Sequence, residues 1–422
     1  GEPAPTGAPA ATNTTSATAP APAAPDDYLP TRVALQVDTL RVDDRTLHAV
    51  DVSATREGAR WSAQVQAREL AGRVEYTQGA DGSAGAVHAR LSRLAIGASD
   101  TADGGAMEQP STRIPALDVV VDDFELHGKK LGRLEVQAVN RDVLAARAAG
   151  GAPVQEWQLN RLALTVPEAT LSASGRWAAQ PRAPALPAGA HSTRSADDRR
   201  RTALDFSLDV RDAGTLLARF GMAGVLRGGR GKIDGKLGWV GSPFSPHYAS
   251  MDGQLHVDVG AGQFLKADPG LAKLLGVLSL QALPRRLTLD FRDVFSAGFA
   301  FDFVRGDAQV EHGVLNTHNL QMKGVNAAVL MDGSVDLDRE TQNLRVLVVP
   351  EIDAGTAALA AAIINPAIGL GAFVAQLVLK QPLIQAATRE FEITGRWDNP
   401  EVKPIKNPAA GALPAASAPK EK

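Results

Sequence analysis

The chain has no cysteine. That excludes disulfides, thiol catalysis and thiolate metal sites, and it fits either the cytosol or the periplasm. Charge of neither sign dominates: charged residues are 22% of 422 and the formal net charge is −3. There is no electrostatic footprint for nucleic acid. Aromatic residues are sparse, at 5%. No signal peptide is visible and the first residue is Gly1, not Met; a fragment, or a chain whose N-terminus was removed, is the expectation. A long unbroken apolar run is also missing. The nearest to one, "AALAAAIINPAIGLGAFVAQLVL" (357–379), is divided by Asn365-Pro366. A residue before proline avoids the α region. The halves, 354–364 and 367–380, each reach about 17–21 Å as helix, short of a hydrocarbon core of about 30 Å.

The search for catalytic motifs is mostly negative. "RGGRGKIDG" (227–235) fails the phosphate-loop spacing, because Leu226 and Ile233 stand where Gly and Ser or Thr are required. It is expected to be a glycine-rich turn entering a strand that carries Ile233, Leu237 and Trp239. "EHGVLNTH" brings Glu311, His312 and His318 together, but Gly313 marks a hairpin turn, and no metal site is expected. Asp43-Asp44 and Asp122-Asp123 are expected at turns, where Asp is favoured for backbone reasons. No catalytic residue, metal or cofactor is assigned.

What the sequence does have is alternation. "TALDFSLDV" places Leu204, Phe206, Leu208 and Val210 on one face; "GQLHVDV" does so with Leu255, Val257 and Val259. "VNAAVLMDGSVDL" holds period two from Val325 through Val329 to Leu337, and "NLRVLVV" follows with Leu344, Val346 and Val348. Half-buried antiparallel strands give this pattern. An internal repeat accompanies it. Val37, Leu40, Val42, Leu47, Val50 and Val52 match Val121, Phe124, Leu126, Leu131, Leu134 and Val136, each pair 84 residues apart. Trp61 and Trp157 follow at an offset of 96, so an insertion of 12 precedes Trp157 within the second copy, around "AARAAGGAP". A repeated strand unit suggests an elongated sheet built by stacking.

Two helices are expected to cover apolar sheet surface. One is "DPGLAKLLGVLSL", with Asp268 as N-cap and a stripe of Leu271, Leu274, Leu275 and Leu278. The other is "DAGTLLARFG", with Asp212 as cap and a stripe of Leu216, Leu217 and Phe220. In the densest aromatic stretch Leu287, Leu289 and Phe291 face one way, and Phe299, Phe301 and Phe303 repeat the pattern. Periodicity alone leaves two readings open: a sealed sandwich core, or the lining of an accessible groove.

The run "GQFLKADPGLAKLLGVLSLQALPRRLTLDFRDVFSAGFAFDFVRGDAQVEHGV", with "GWVGSP" (238–243) upstream and "ITGRWDNPEVKPI" (393–405) after it, resembles the C-terminal region of the AsmA-like family, in its large YhdP branch. The resemblance covers about 201–405, and more loosely 28–178. It implies a mostly β fold: an elongated, curled antiparallel sheet forming an apolar groove, with a few short helices packed on or capping it. It also implies a non-enzymatic envelope protein of the periplasm, tethered to the inner membrane by an N-terminal helix that this sequence lacks. Phospholipid is the implied partner, carried between inner and outer membrane. The rival reading is a scaffold or interaction module for outer-membrane assembly that binds envelope proteins.

Physics makes a groove sensible. Exposing the roughly 30 methylenes of a diacyl lipid to water costs about 25 kcal/mol, so the tails must stay covered throughout transfer. Alternation supplies the cover, since every second residue of a strand faces the groove. The expected lining is Leu255, Val257, Leu287, Leu289, Phe291, Phe299, Phe301, Phe303, Val325 and Val329. Residues 354–390 are expected to be helical. They would close one end and dip Ile363, Ile364, Ile368, Leu370, Phe373, Val374 and Leu377 into a membrane surface, the outer membrane by resemblance; a helical pair packed wholly on the sheet is the alternative. The expected plan is a Pro/Ala-rich disordered linker (1–27), repeated β-units (28–178), a flexible insertion (179–200), a β-groove domain (201–405) and a disordered tail (406–422). A weaker linker is expected over 97–112.

Overall fold

The computed structural model describes residues 30–42, 45–79, 84–97, 114–143, 154–179, 200–265, 299–324, 327–350, 388–397 and 399–405. These residues build one open sheet of 19 strands. The first five are β1 (Arg32–Val42), β2 (Arg45–Glu57), β3 (Arg60–Gln66), β4 (Leu70–Thr77) and β5 (Ala86–Ile96). The next five are β6 (Ala116–Leu126), β7 (Lys129–Val143), β8 (Val154–Val166), β9 (Ala169–Ala179) and β10 (Arg200–Val210). A short helix α1 (Ala213–Arg219) and the three-residue β11 (Leu226–Gly228) lead into β12 (Gly231–Val240), β13 (Asp252–Phe264) and β14 (Phe299–Glu311). The sheet ends with β15 (Val314–Gly324), β16 (Ala327–Asp336), β17 (Thr341–Pro350), β18 (Arg389–Arg396) and β19 (Asn399–Ile405).

Neighbours in sequence are neighbours in space. Pairing is antiparallel from β1 through β5 and again from β6 to β19, with β11 and β12 end to end along β13. The exception is the parallel pair β5–β6, in which Ala86 lies opposite Ala116. Its cause lies in the repeat. Five meandering strands end in the direction in which they began, so a second copy laid down in the same orientation must start parallel to the last strand of the first. A parallel pair cannot be joined by a tight hairpin, and in the sequence residues 97–115 separate β5 from β6. The repeat itself is visible in register: Val37 lies opposite Val50, and their counterparts Val121 and Leu134 lie opposite each other. At about 4.8 Å per strand the sheet runs roughly 80 Å along its hydrogen-bonding direction.

The expected insertion 179–200 is strand at both of its ends. Ala179 closes β9 and Arg200 opens β10, and those two residues pair with each other. The β-units over 28–178 and the region after 200 therefore form one continuous sheet. Asp122 and Asp123 are not in a turn: they lie inside β6 at a register shift between Val121 and Phe124. Asp43-Asp44, the expected helix from Asp268 and the tails lie outside the described residues. So does the apolar segment 351–387; β18 takes up the chain at Arg389, which makes the last two residues of the expected helical stretch strand.

The helix α1 forms as its cap predicts. Asp212 Oδ1 accepts the Thr215 backbone N–H at 2.9 Å. Leu216 and Leu217 are half-buried, but Phe220, expected in the same stripe, is the C-cap and is exposed. Arg219 anchors the helix to the sheet. Its guanidinium pairs with the buried Glu168 carboxylate in the β8–β9 turn and donates to the Lys130 carbonyl oxygen at 2.8 Å. The hydrogen bond from Arg219 holds the Glu168 carboxyl below its ordinary pKa.

Strand ends fall on two long rims. The first rim carries the start of β1 and the turns between Glu57 and Arg60, Glu311 and Val314, and Asp336 and Thr341. The second carries the end of β1 and the turns between Leu126 and Lys129 and between Val166 and Ala169.

Candidate functional site: an amphipathic sheet face

Register sorts the side chains of β10, β12, β13 and β14 into rows that alternate between the two faces. On one face the rows are apolar: Leu204–Leu237–Gly253–Val310, then Phe206–Gly235–Leu255–Ala308, then Leu208–Ile233–Val257–Gly306. The rows between them point the other way and are polar: Asp205–Lys236–Gln254–Gln309, Ser207–Asp234–His256–Asp307 and Asp209–Lys232–Asp258–Arg305. Gly235 has a reason to lack a side chain. A Cβ there would meet Phe206 at 2.5 Å and Leu255 at 2.6 Å, so both side chains lie over its backbone.

The apolar face is sealed near both rims and open between them. Toward the first rim Trp239, Met251 and Val310 are buried, with Leu204, Leu237 and Leu255 packed on them. Toward the second, Phe299, Phe301, Met322, Ala327, Val329, Val346, Val348 and Ile393 form a filled cluster that Val259 and Phe264 join. Phe206, Leu208, Ile233 and Val257 belong to neither cluster and are half-buried, each keeping part of its surface accessible. This floor is the apolar surface that a cargo can reach without unpacking a core.

The expected groove residues divide accordingly. Val257 lies on the open stretch, and Leu255 borders it, partly buried against the first-rim cluster. Phe299, Phe301 and Val329 are sealed, at 5%, 3% and 0% exposure, and Phe264 and Phe301 bring their ring centroids to 5.2 Å. Phe303 does not share their face as the alternation predicts. A bulge between Phe301 and Phe303 shifts the register by one. Val304 takes the place in the cluster, and the Phe303 ring lies under the Arg305 guanidinium at 4.6 Å. Leu287, Leu289, Phe291, Val325 and the seven expected membrane-contact residues, Ile363 to Leu377, lie outside the described residues. Phe206, Leu208 and Ile233 were read only as alternating strand positions; the same alternation that marks Leu255 marks them.

The polar face carries cross-strand pairs. Lys236 Nζ meets Asp205 at 3.2 Å, His256 Nδ1 meets Asp307 at 2.7 Å and Arg305 Nε meets Asp258 at 2.8 Å. Hydrogen bonds from Asn319 and His256 hold the Asp307 carboxyl below its ordinary value. Exposed pairs of this kind add little stability each; their effect is to fix which face meets water. A shallow depression of about 1090 Å³ is lined by Ser207, Asp234, His256 and Asp307 of the polar rows together with residues of the row between them, Phe206, Gly235 and Leu255. Among the described residues no three metal-ligating side chains come together. His312 and Gly313, both at positive φ, make the β14–β15 hairpin turn. Among the described residues no helix is long and apolar enough to cross a membrane.

Fold and surface define a class: a long, open β-meander, polar on one face and apolar on the other across its middle strands. A family profile described as "YhdP protein" matches residues 8–402. The chain therefore belongs to the YhdP family, as its motifs suggest. An Escherichia coli (strain K12) protein named "Intermembrane phospholipid transporter YhdP" is 34% identical over 187 residues. That match covers 44% of this chain and 15% of the relative, so the shared region is a small part of the longer protein. No solved structure matches the chain.

Proposed function

We propose that this chain is one section of an intermembrane phospholipid-transport path in the periplasm. It acts without catalysis, by covering acyl chains on the apolar face of its sheet. The observation that carries the reading is the half-buried, partly accessible floor of Phe206, Leu208, Ile233, Leu255 and Val257, backed on the opposite face by an unbroken set of polar rows. A face of this kind takes up hydrocarbon because removing apolar surface from water is favourable at about 25 cal/mol per Å². Among the described residues its apolar rows carry no charged side chain that would trap the cargo. Membrane contact through residues 354–380 belongs to the same proposal, as the means by which lipid enters or leaves.

The test is mass spectrometry of the purified chain under conditions that preserve bound lipid. Co-purifying phospholipid is the expected result. A lipid-free protein that instead retains envelope proteins supports the scaffold reading and contradicts this one.

A further inference from the structure

The tryptophans of this chain are scattered in sequence and gathered in space. All five, Trp61, Trp157, Trp177, Trp239 and Trp397, lie at or near the first rim. Trp61 is the second residue of β3, Trp239 the penultimate residue of β12, and Trp397 follows the last residue of β18. Trp157 and Trp177 lie directly opposite each other, and Trp177 and Trp239 both face Thr202, so the three indoles stand in one row across β8, β9, β10 and β12. Tyr76 lies opposite Trp61, and Tyr248 and Phe244 belong to the connection between β12 and β13 on the same rim. Among the described residues the second rim has no tryptophan or tyrosine.

We infer that the first rim is the headgroup side of the apolar face: each bound phospholipid lies along the strands, its glycerol and headgroup at this rim and its acyl chains toward the second. The inference rests on the phospholipid reading and adds an orientation to it. Indole and phenol rings are apolar bodies with a polar tip, and they settle where hydrocarbon gives way to ester and headgroup. The row containing Trp177 and Trp239 lies on the same face as Phe206 and Leu255, two rows closer to the rim than Phe206, but its indoles are buried; the rings that can meet a headgroup are the exposed ones outside it. The rim also supplies positive charge at ring level. The Arg200 guanidinium sits 4.3 Å from the Trp177 ring and Arg56 sits 5.9 Å from Trp61, a placement suited to a phosphodiester. Tyr76, Phe244, Tyr248 and Trp397 are exposed at the outer edge. The belt extends from β3 to β18, along most of the sheet.

Because every tryptophan lies on one rim, intrinsic fluorescence reports that rim. The intact chain is loaded with phospholipid bearing a nitroxide either near the glycerol end or near the methyl end of one acyl chain. Bound label is counted by electron spin resonance after gel filtration. The inference predicts roughly twofold or greater quenching by the glycerol-end label than by the methyl-end label at equal occupancy. Equal quenching, stronger quenching by the methyl-end label, or bound lipid that quenches with neither label overturns the orientation and leaves the phospholipid reading standing. Absence of bound label overturns both.

Discussion

Phe301→Ala is expected to destabilise the chain by about 3–5 kcal/mol, read as a fall in the urea midpoint. Phe301 is almost fully buried, packs against Phe264, and shares its cluster with Val329 and Val348, both at or near zero exposure. Removing the ring leaves a cavity among β-branched neighbours held by hydrogen-bonded strands, which can collapse only partly. Leu255→Ala, on the half-buried floor, is expected to cost roughly 1 kcal/mol, because much less apolar area leaves water there on folding. Similar losses at the two positions would mean that the floor is as tightly packed as the cluster.

The second large effect is on cargo. Replacing Phe206 and Val257 together with aspartate is expected to abolish phospholipid capture, measured as lipid phosphorus per purified chain, while circular dichroism keeps the strand signature. Both side chains keep accessible surface and belong to neither flanking cluster, so the new carboxylates stay hydrated in the empty protein. Hydrocarbon laid over them would have to strip that water, at several kcal/mol per charge. A control pair on the opposite face, Ser207→Ala with His256→Ala, is expected to leave lipid content unchanged. Loss of lipid in the control pair but not in the aspartate pair would place the cargo on the polar side.

Much of this architecture was legible because a strand records its surroundings with period two. Leu204, Phe206 and Leu208, or Leu255 and Val257, announce one wet and one dry face without any knowledge of the partner strand. Asp212 announced a helix start, and Gly313 a hairpin, through local backbone chemistry. The 84-residue repeat foretold stacked units, and its hairpins do share a register. What stayed hidden depends on how strands meet. The bulge after Phe301 turns on one extra residue against β15 and leaves no mark on the alternation of Phe299, Phe301 and Phe303. Burial of both faces of β16 and β17 at their Pro350 end, over Ala327 to Leu330 and Val346 to Val349, had a signal in hindsight. "VLVV" is a continuous apolar run of the kind that marks a strand covered on both sides. The gathering of five tryptophans on one rim could not be read from spacing, because it follows from which end of each strand is up.

The central claim is that the half-buried, accessible apolar rows of β10, β12 and β13 are what touches hydrocarbon. Phospholipid carrying a photoactivatable group in its acyl chain, loaded into the intact chain, irradiated and mapped by peptide mass spectrometry, tests it most directly. The account predicts adducts at Phe206, Leu208, Ile233, Leu255 and Val257. Adducts confined to Ser207, Asp234, His256 and their neighbours on the opposite face, or label bound without any adduct on these strands, would contradict it.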